Sequence, residues 1–470
     1  MQTRSTVSKL LLTFYGDDFT GSTDALEQLT LAGIRTTLFI EPPTPSQLKQ
    51  HPGLQVVGVS GMTRSMTAGA MEKELRPVFK KLKGLGAPHV HYKVCSTFDS
   101  SPTIGSIGRV MDVAAEIFHA PFIPLLVAAP ALGRYTVFGT HFARFGIGSE
   151  GEIHRLDRHP SISRHPVTPM MEADLRRHLA RQTKKKIMLF DILKVALPEN
   201  DRRAAFKRML AESPDVVLFD ALFATQLPGI GALIDACASA NRPLFSVGSS
   251  GIETALATCW KSKERVPQIP SFHDGAPQRP SRRTGQILVG SGSCSPVTSG
   301  QIEWALKRGF AEVPINPGAL ANRKTSADEI KRASVAAARL LQNKRSVIVH
   351  TTKHGADKNI TTKFKSRAAE VLGLALGKVL RAAVGQSSVR RICIAGGDTS
   401  SFAARALGIK VLEMIAPLTP GAPLCRAFAP GSPADGLEVV FKGGQVGAEN
   451  YFGIVKNGAD SNRRQRRTDF

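Results

Sequence analysis

The sequence predicts an α/β protein of two domains, each built on a largely parallel sheet flanked by helices. Three observations predict it. Short apolar runs alternate with segments of helical spacing along most of the chain. The runs are dense in apolar residues, as strands covered on both faces must be. The 470 residues exceed what a single core commonly organises. The rhythm breaks once, at RVPQIPSFHDGAPQRPSRRTGQ (Arg265 to Gln286), which is rich in proline and basic residues and has no apolar period. The expected organisation is an N-terminal domain over 1–264, a linker over 265–286, a C-terminal domain over 287–456 and a basic, disordered tail over 457–470.

Taken in order, LLLTFYG, TTLFI and LQVVGVSG read as strands, with ALEQLTLAG and AMEKELRPVFKKLKGL as the intervening helices. HVHYKVC, FIPLLVAAP, KIMLFDI, DVVLFDA and RPLFSVGSSG continue the strand series. Beyond the linker, QILVGSGSCS, RSVIVHT and RRICIAGGDTS read as strands, and TSGQIEWALKRG and FAARALGI as helices.

Composition excludes several classes. No apolar run is long enough to span a bilayer, and the N-terminus reads as a first strand rather than a signal peptide. Six scattered cysteines without a C-x-x-C pair fit a reducing, cytoplasmic setting and no zinc framework. His159 and His165 likewise lack metal-ligand spacing. The net charge of +24 raises nucleic acid as a partner, the alternative of another class. The basic residues are spread along the chain without a recognition motif, and aromatics are 6%, so a basic surface that favours anionic substrates fits better.

In a parallel sheet ligands gather at the carboxyl ends of strands, so the polar loops found there carry the functional expectation. Asp17 and Asp18 follow the first strand. One carboxylate suffices to cap the next helix, and Thr20 or Ser22 can do the same, so the pair exceeds the capping need. Arg64, in GMTRSM, follows a strand and suits a bidentate carboxylate clamp. YKVCSTFDSS adds Lys93, Ser96, Thr97 and Asp99, and RLDRHPSISRHPVTPM offers Arg164 and His165 as part of a loop that closes on an anion. In ILVGSGSCSPVTSGQ a partial G-x-G-x-x-G suggests a dinucleotide, but the next strand ends in Asn316 where a ribose-binding acid is needed. The loop, with Ser293 and Ser295, instead suits a phosphate cradle of amides and hydroxyls. Gly396 and Gly397 allow close backbone approach, and Asp398, Thr399 and Ser400 are expected to cap a helix whose amides hold phosphate. VVFKGGQVGAENYF supplies a third glycine-rich stretch with Gly443 and Gly444. No Walker or protein-kinase motif is present.

From Tyr15 to Phe452 these motifs, in this order, resemble the four-carbon acid sugar kinase family: D-D-F-T-G-x-x-D at Asp17 to Asp24, Thr63–Arg64–Ser65, Lys93 to Ser100, His165 to Met170, Ser291 to Ser295, Gly396 to Ser400 and Lys442 to Gly447. The resemblance implies an N-terminal domain for the sugar acid, a C-terminal domain for ATP, and an active site in the interdomain cleft. It implies magnesium as the companion of ATP, with no metal ligand assigned. Carried over by position, Ser293 or Ser295, Gly396 to Thr399, and Gly444 contact the nucleotide. The third loop departs from the commoner S-G-N-F-G form. Asp17 or Asp18 is then the catalytic group at the sugar hydroxyl, and Arg64, Lys93 or Arg164 holds the carboxylate. CSTFDSS, FARFG and the Arg155 to Met170 loop resemble a 3-oxo-acid branch, with 3-oxo-isoapionate or 3-oxo-tetronate as substrate and D-threonate or D-erythronate as the alternative. Homo-oligomerisation stays open.

Overall fold

The computed structural model describes residues 10–146, 150–165, 167–265, 283–352, 364 and 367–458. The expected linker and basic tail fall largely on 266–282 and 459–470, outside the described residues. The chain separates into two compact units, Met1–Phe145 with Glu150–Ser271, and Gly146–Ser149 with Phe272–Phe470. Among the described residues no helix is long and apolar enough to cross a membrane.

The first unit holds strands β1 (Leu12–Gly16), β2 (Thr36–Phe39), β3 (Val56–Ser60), β4 (His89–Lys93), β5 (Ile123–Leu126), β6 (Arg134–Val137), β7 (Thr140–Arg144), β8 (Ile153–Arg155), β9 (Ile187–Phe190), β10 (Val216–Phe219) and β11 (Leu244–Gly248). Eight of them form a parallel sheet in the order β2-β3-β1-β4-β11-β5-β10-β9. Every residue of β1, β3, β4 and β11 is buried, which explains why these segments read as apolar runs without alternation. The order reverses at β1: β3 lies on one side and β4 on the other. Crossover loops part at such a point, leaving a crevice at the strands' carboxyl ends.

Strands β6, β7 and β8 form a separate antiparallel sheet that the sequence reading did not anticipate. Their burial alternates along β6 and β7, the signature of a sheet covered on one face. A search for continuous apolar runs passes over that pattern.

The second unit holds β12 (Ile287–Ser291), β13 (Ala311–Pro314), β14 (Val347–His350), β15 (Arg391–Ala395), β16 (Val411–Thr419), β17 (Ala422–Phe428) and β18 (Glu438–Lys442). Within this unit the order is β13-β14-β12-β15-β18-β17-β16. The five strands from β13 to β18 are parallel, and β17 and β16 complete the order as an unanticipated antiparallel hairpin. Its turn uses Gly421 at φ +78°, a conformation natural to glycine. The order reverses again, between β12 and β15, and the glycine-bearing loops follow β12, β15 and β18, three neighbouring strands.

A buried charge network ties the first unit together away from the strand ends where ligands gather. Asp235 accepts hydrogen bonds from Trp260 Nε1 (2.8 Å), Lys263 Nζ (2.6 Å) and Arg265 (3.2 Å), and its Oδ1 lies 3.1 Å from His89 Nε2. Burial raises the Asp235 carboxyl, but the bonds from His89, Lys263 and Trp260 outweigh it and hold the group well below the usual carboxylate range. Replacing Asp235 with alanine takes the acceptor from the buried Trp260 N–H and His89, while the exposed Lys263 and Arg265 turn to water. The expected loss is about 1–3 kcal/mol, read as a fall in urea midpoint at unchanged slope.

Candidate active site

The first unit converges on the carboxyl ends of β3, β1 and β4. The backbone itself sets the arrangement: Asp17 N–H donates to Lys93 O (2.9 Å), and Arg64 N–H donates to Asp17 O (3.1 Å). The two adjacent aspartates then divide sharply. Asp18 is the N-cap of the helix Phe19–Leu31, with Oδ1 accepting from Gly21 N–H (2.8 Å) and Oδ2 from Thr20 Oγ1 (2.6 Å). The cap is therefore Asp18 itself, not Thr20 or Ser22; Ser22 Oγ donates instead to Asp18 O. Arg64 sits 3.0 Å from Asp18 Oδ2 and 4.0 Å from Asp99 Oδ2.

Asp17 is also buried, yet its Oδ1 has no hydrogen-bond partner. Burial first, and the Asp18 charge second, push its carboxyl up to about 8, against the opposing pull of Arg64 and Lys93. Asp17 thus combines a buried oxygen that no donor meets with a raised affinity for a proton.

Lys93 lies beneath this pair, its Nζ 3.3 Å from Asp24 Oδ2 and donating to Val94 O (3.1 Å). Burial lowers its ammonium, but Asp24 and Glu253 reverse the shift and leave it raised. Gly21 leaves room for both side chains: a Cβ there would lie 2.5 Å from Asp18 Oδ1 and 3.3 Å from Lys93 Nζ. Thr97 Oγ1 donates to Asp99 Oδ2 (2.8 Å), and the Ser96 carbonyl lies 3.0 Å from His141 Nε2, so the β7 strand holds this loop. The structure thus brings Asp17, Asp18, Arg64, Lys93 and Asp99 into one charged cluster, with Ser96 and Thr97 on its loop. It does not bring Arg164 and His165 into it. Arg164 is exposed, and His165 Nδ1 accepts from Thr168 N–H (3.1 Å). Neither forms a hydrogen bond or ion pair with the cluster.

In the second unit the three glycine loops interlock. Gly396 has φ +129°, and a Cβ there would lie 2.4 Å from Thr399 Oγ1. A Cβ at Gly292 would meet Thr399 Cγ2 at 2.7 Å, and one at Gly444 would meet Ser293 Oγ at 3.0 Å. Ser293 Oγ accepts from Ser295 N–H (3.2 Å), and Thr352 Oγ1 donates to Ser293 O (3.1 Å). The helix Gly397–Ala406 begins at Gly396 without a side-chain cap, so Asp398, Thr399 and Ser400 occupy its first turn rather than capping it. The helix Pro296–Leu306, whose N-cap is Ser295, also lacks a side-chain cap. Uncapped helix starts leave amides open to an anion. The hydroxyls of Ser295 and Thr399 are buried there without a partner. Gly443 is part of the turn in which Val446 N–H donates to Gly443 O (3.2 Å).

Residues 12–256 match a family model described as a sugar-binding N-terminal domain, and residues 288–452 match one described as a nucleotide-binding C-terminal domain. The chain belongs to the four-carbon acid sugar kinase family. A Paraburkholderia graminis protein named 3-oxo-isoapionate kinase is 42% identical over 460 residues, which cover 96% of this chain and 94% of that one. A 3-oxo-tetronate kinase of Pseudomonas savastanoi pv. phaseolicola is 28% identical over 445 residues, with 94% and 96% covered. In fold, the chain matches a solved structure from Salmonella typhimurium LT2 with a TM-score of 0.70 at 23% identity, covering 94% of this chain and 97% of that one.

Several members of the two clusters were not singled out by the sequence reading. Asp24 lies inside the family's aspartate motif, one helical turn and a half beyond Asp18, and was given no role. Glu253 is wholly buried on the helix Gly251–Ser262, 3.5 Å from His91 Nε2, with burial pushing its carboxyl up to about 8. Gln301 Nε2 donates to the carbonyls of Val446, Gly447 and Ala448, bracing the third loop. The signal for Glu253 was available: an acid in the first turn of a helix that follows a buried strand. Nothing in the sequence marks Gln301.

The raised Asp17 carboxyl has a stability consequence. The folded chain keeps the Asp17 proton up to about pH 8, while the unfolded chain releases it near 4. Stability from this group is full below about pH 4, falls progressively as pH rises from there, and is gone once pH has passed through 8. Asp17→Asn cannot ionise and escapes that loss. Melting scans from pH 5 to pH 9 are expected to show the variant's margin over wild type widening steadily up to about pH 8 and holding constant above it, with a difference of about 2–4 °C or more between pH 5 and pH 9.

Proposed function

We propose that the protein is an ATP-dependent kinase that phosphorylates the terminal hydroxyl of a 3-oxo sugar acid, with 3-oxo-isoapionate as the leading substrate and 3-oxo-tetronate next. The relative at 42% identity supports that order of substrates. The observation that carries the chemistry is the buried Asp17 carboxyl, its Oδ1 without a hydrogen-bond partner, beside a cationic pair at the switch point of the sugar-binding unit.

In this reading the substrate hydroxyl donates its proton to Asp17 as its oxygen attacks the γ-phosphorus. The new P–O bond forms as the bond to the β–γ bridging oxygen breaks, and ADP leaves with that electron pair. Asp18 is already committed to its helix cap and to Arg64, which leaves Asp17 as the base. Arg64 and Lys93 remain the cations for the acid's carboxylate. Their charges are partly offset by Asp18, Asp99 and Asp24, so they bind it without creating a strong trap. Among the described residues no three His, Cys, Asp or Glu side chains converge to cage a metal. Magnesium arriving with ATP would neutralise phosphate charge. The open amides and orphaned hydroxyls of the three glycine loops suit the phosphates themselves.

An ATP-consumption screen over four-carbon and branched five-carbon sugar acids tests the substrate class. Turnover is expected with a 3-oxo acid, and turnover with none of them refutes the reading. Asp17→Asn is expected to lower kcat by about 10²–10⁴-fold with little change in KM for ATP. Because the base must be ionised, kcat/KM for the acid should climb about tenfold per pH unit below 8 and level off above it.

A further inference from the structure

Among the described residues four Lys or Arg side chains are buried: Lys93, Arg134, Arg391 and Lys442. Lys93 faces Asp24, and Arg391 pairs with Glu438. Arg134 spreads its NH1 over the carbonyls of Leu132, Gly133 and Arg144. Lys442 has neither a carboxylate nor a ring of carbonyls. Its Nζ, on a side chain with no exposed surface, donates to one hydroxyl, Thr298 Oγ1, at 2.8 Å. That hydroxyl donates in turn to Gly444 O (3.0 Å), and Gly444 packs against Ser293 and Ser295.

We propose that Lys442 is the buried counter-charge of the nucleotide phosphates, a positioning residue that takes up a proton from solvent as ATP binds and steadies the Gly443–Gly444 turn through Thr298. The proposal rests on the reading of this unit as the ATP site. The reason is electrostatic. A lone ammonium in a dry interior is costly, whereas a neutral amine is not. The arrival of a polyanion above the turn reverses that balance, because the charged form then has a partner at short range in low dielectric. The surroundings leave little else to respond. The titratable groups against Lys442 are Cys393 on β15, whose thiol burial pushes up to about 12, and Tyr451, whose ring centroid lies 5.6 Å from Nζ. Burial lowers the Lys442 ammonium to about 7, so near neutral pH a modest field is enough to charge it.

Calorimetric titration with Mg·ATP at pH 8, without the sugar acid, in buffers of different ionisation enthalpy, counts the protons taken up. The γ-phosphate is already ionised there, since a second phosphate pKa lies near 6. Wild type is expected to take up about half to one proton per ATP. Lys442→Met and Lys442→Gln should each lose that uptake and bind ATP at least about tenfold more weakly. Lys442→Gln keeps a donor for Thr298 without the charge, so it separates charge from scaffold. Wild-type ATP affinity should also fall as pH rises from 7 to 9, by up to about tenfold per unit, while the glutamine variant stays flat. That pH slope carries the test should Lys442→Met fail to fold. Proton uptake equal in wild type and Lys442→Gln, or a flat wild-type slope, overturns the inference. If wild type binds no ATP at all, it is the kinase reading that fails.

Discussion

The charged cluster of the first unit is organised by the burial of two adjacent carboxylates where the order of its parallel sheet reverses. Asp18 caps the following helix and accepts from Arg64. Asp17 is left buried, with an unpartnered oxygen and a raised affinity for a proton. Adjacent in sequence, the two residues thereby sit in opposite settings, one bonded as a helix cap and the other with a buried oxygen left open.

The supporting shell is built to keep that asymmetry. Lys93 pairs with Asp24, and the glycine at position 21 leaves room for its ammonium and for the Asp18 carboxylate. His141, held neutral by burial with its ring pushed down to about 3, reaches the Ser96 carbonyl as a hydrogen-bonding side chain rather than a charge. Tyr92 hydrogen-bonds Thr63 at 2.7 Å, and it stacks on Tyr15, tying β4 to the turn that carries Arg64. The second unit solves a different problem with different means. It leaves helix starts uncapped, brings three loops to close approach through glycine, and buries an amine behind them. Fixed dipoles of this kind suit an anion that comes and goes, because they need no counter-ion when it is absent.

Much of this was legible in the sequence. The parallel strands declared themselves because both their faces are covered, and the polar loops declared themselves because they break apolar runs abruptly at Gly16, Lys93, Ser291, Ala395 and Lys442. What escaped follows from the same physics. β6 to β8 alternate rather than run apolar, and the β16–β17 hairpin is antiparallel. Neither matches a search tuned to buried parallel strands. The sequence could name Asp17 and Asp18 but not divide their labour, since that turns on which one caps the helix. Arg164 looked equivalent to Arg64 as a cation on a loop, but it is exposed and makes no bond to the cluster. Glu253 and Gln301 act through contacts more than a hundred residues away in the chain, which local pattern does not encode.

The central claim is that Asp17 is a buried acid with an unpartnered Oδ1 and a carboxyl that ionises near working pH. A carboxyl carbon NMR titration of the ¹³C-labelled protein, with the Asp17 resonance assigned by its loss in Asp17→Asn, measures this directly. The account predicts a midpoint near 8. A midpoint in the ordinary aspartate range, near 4, contradicts it.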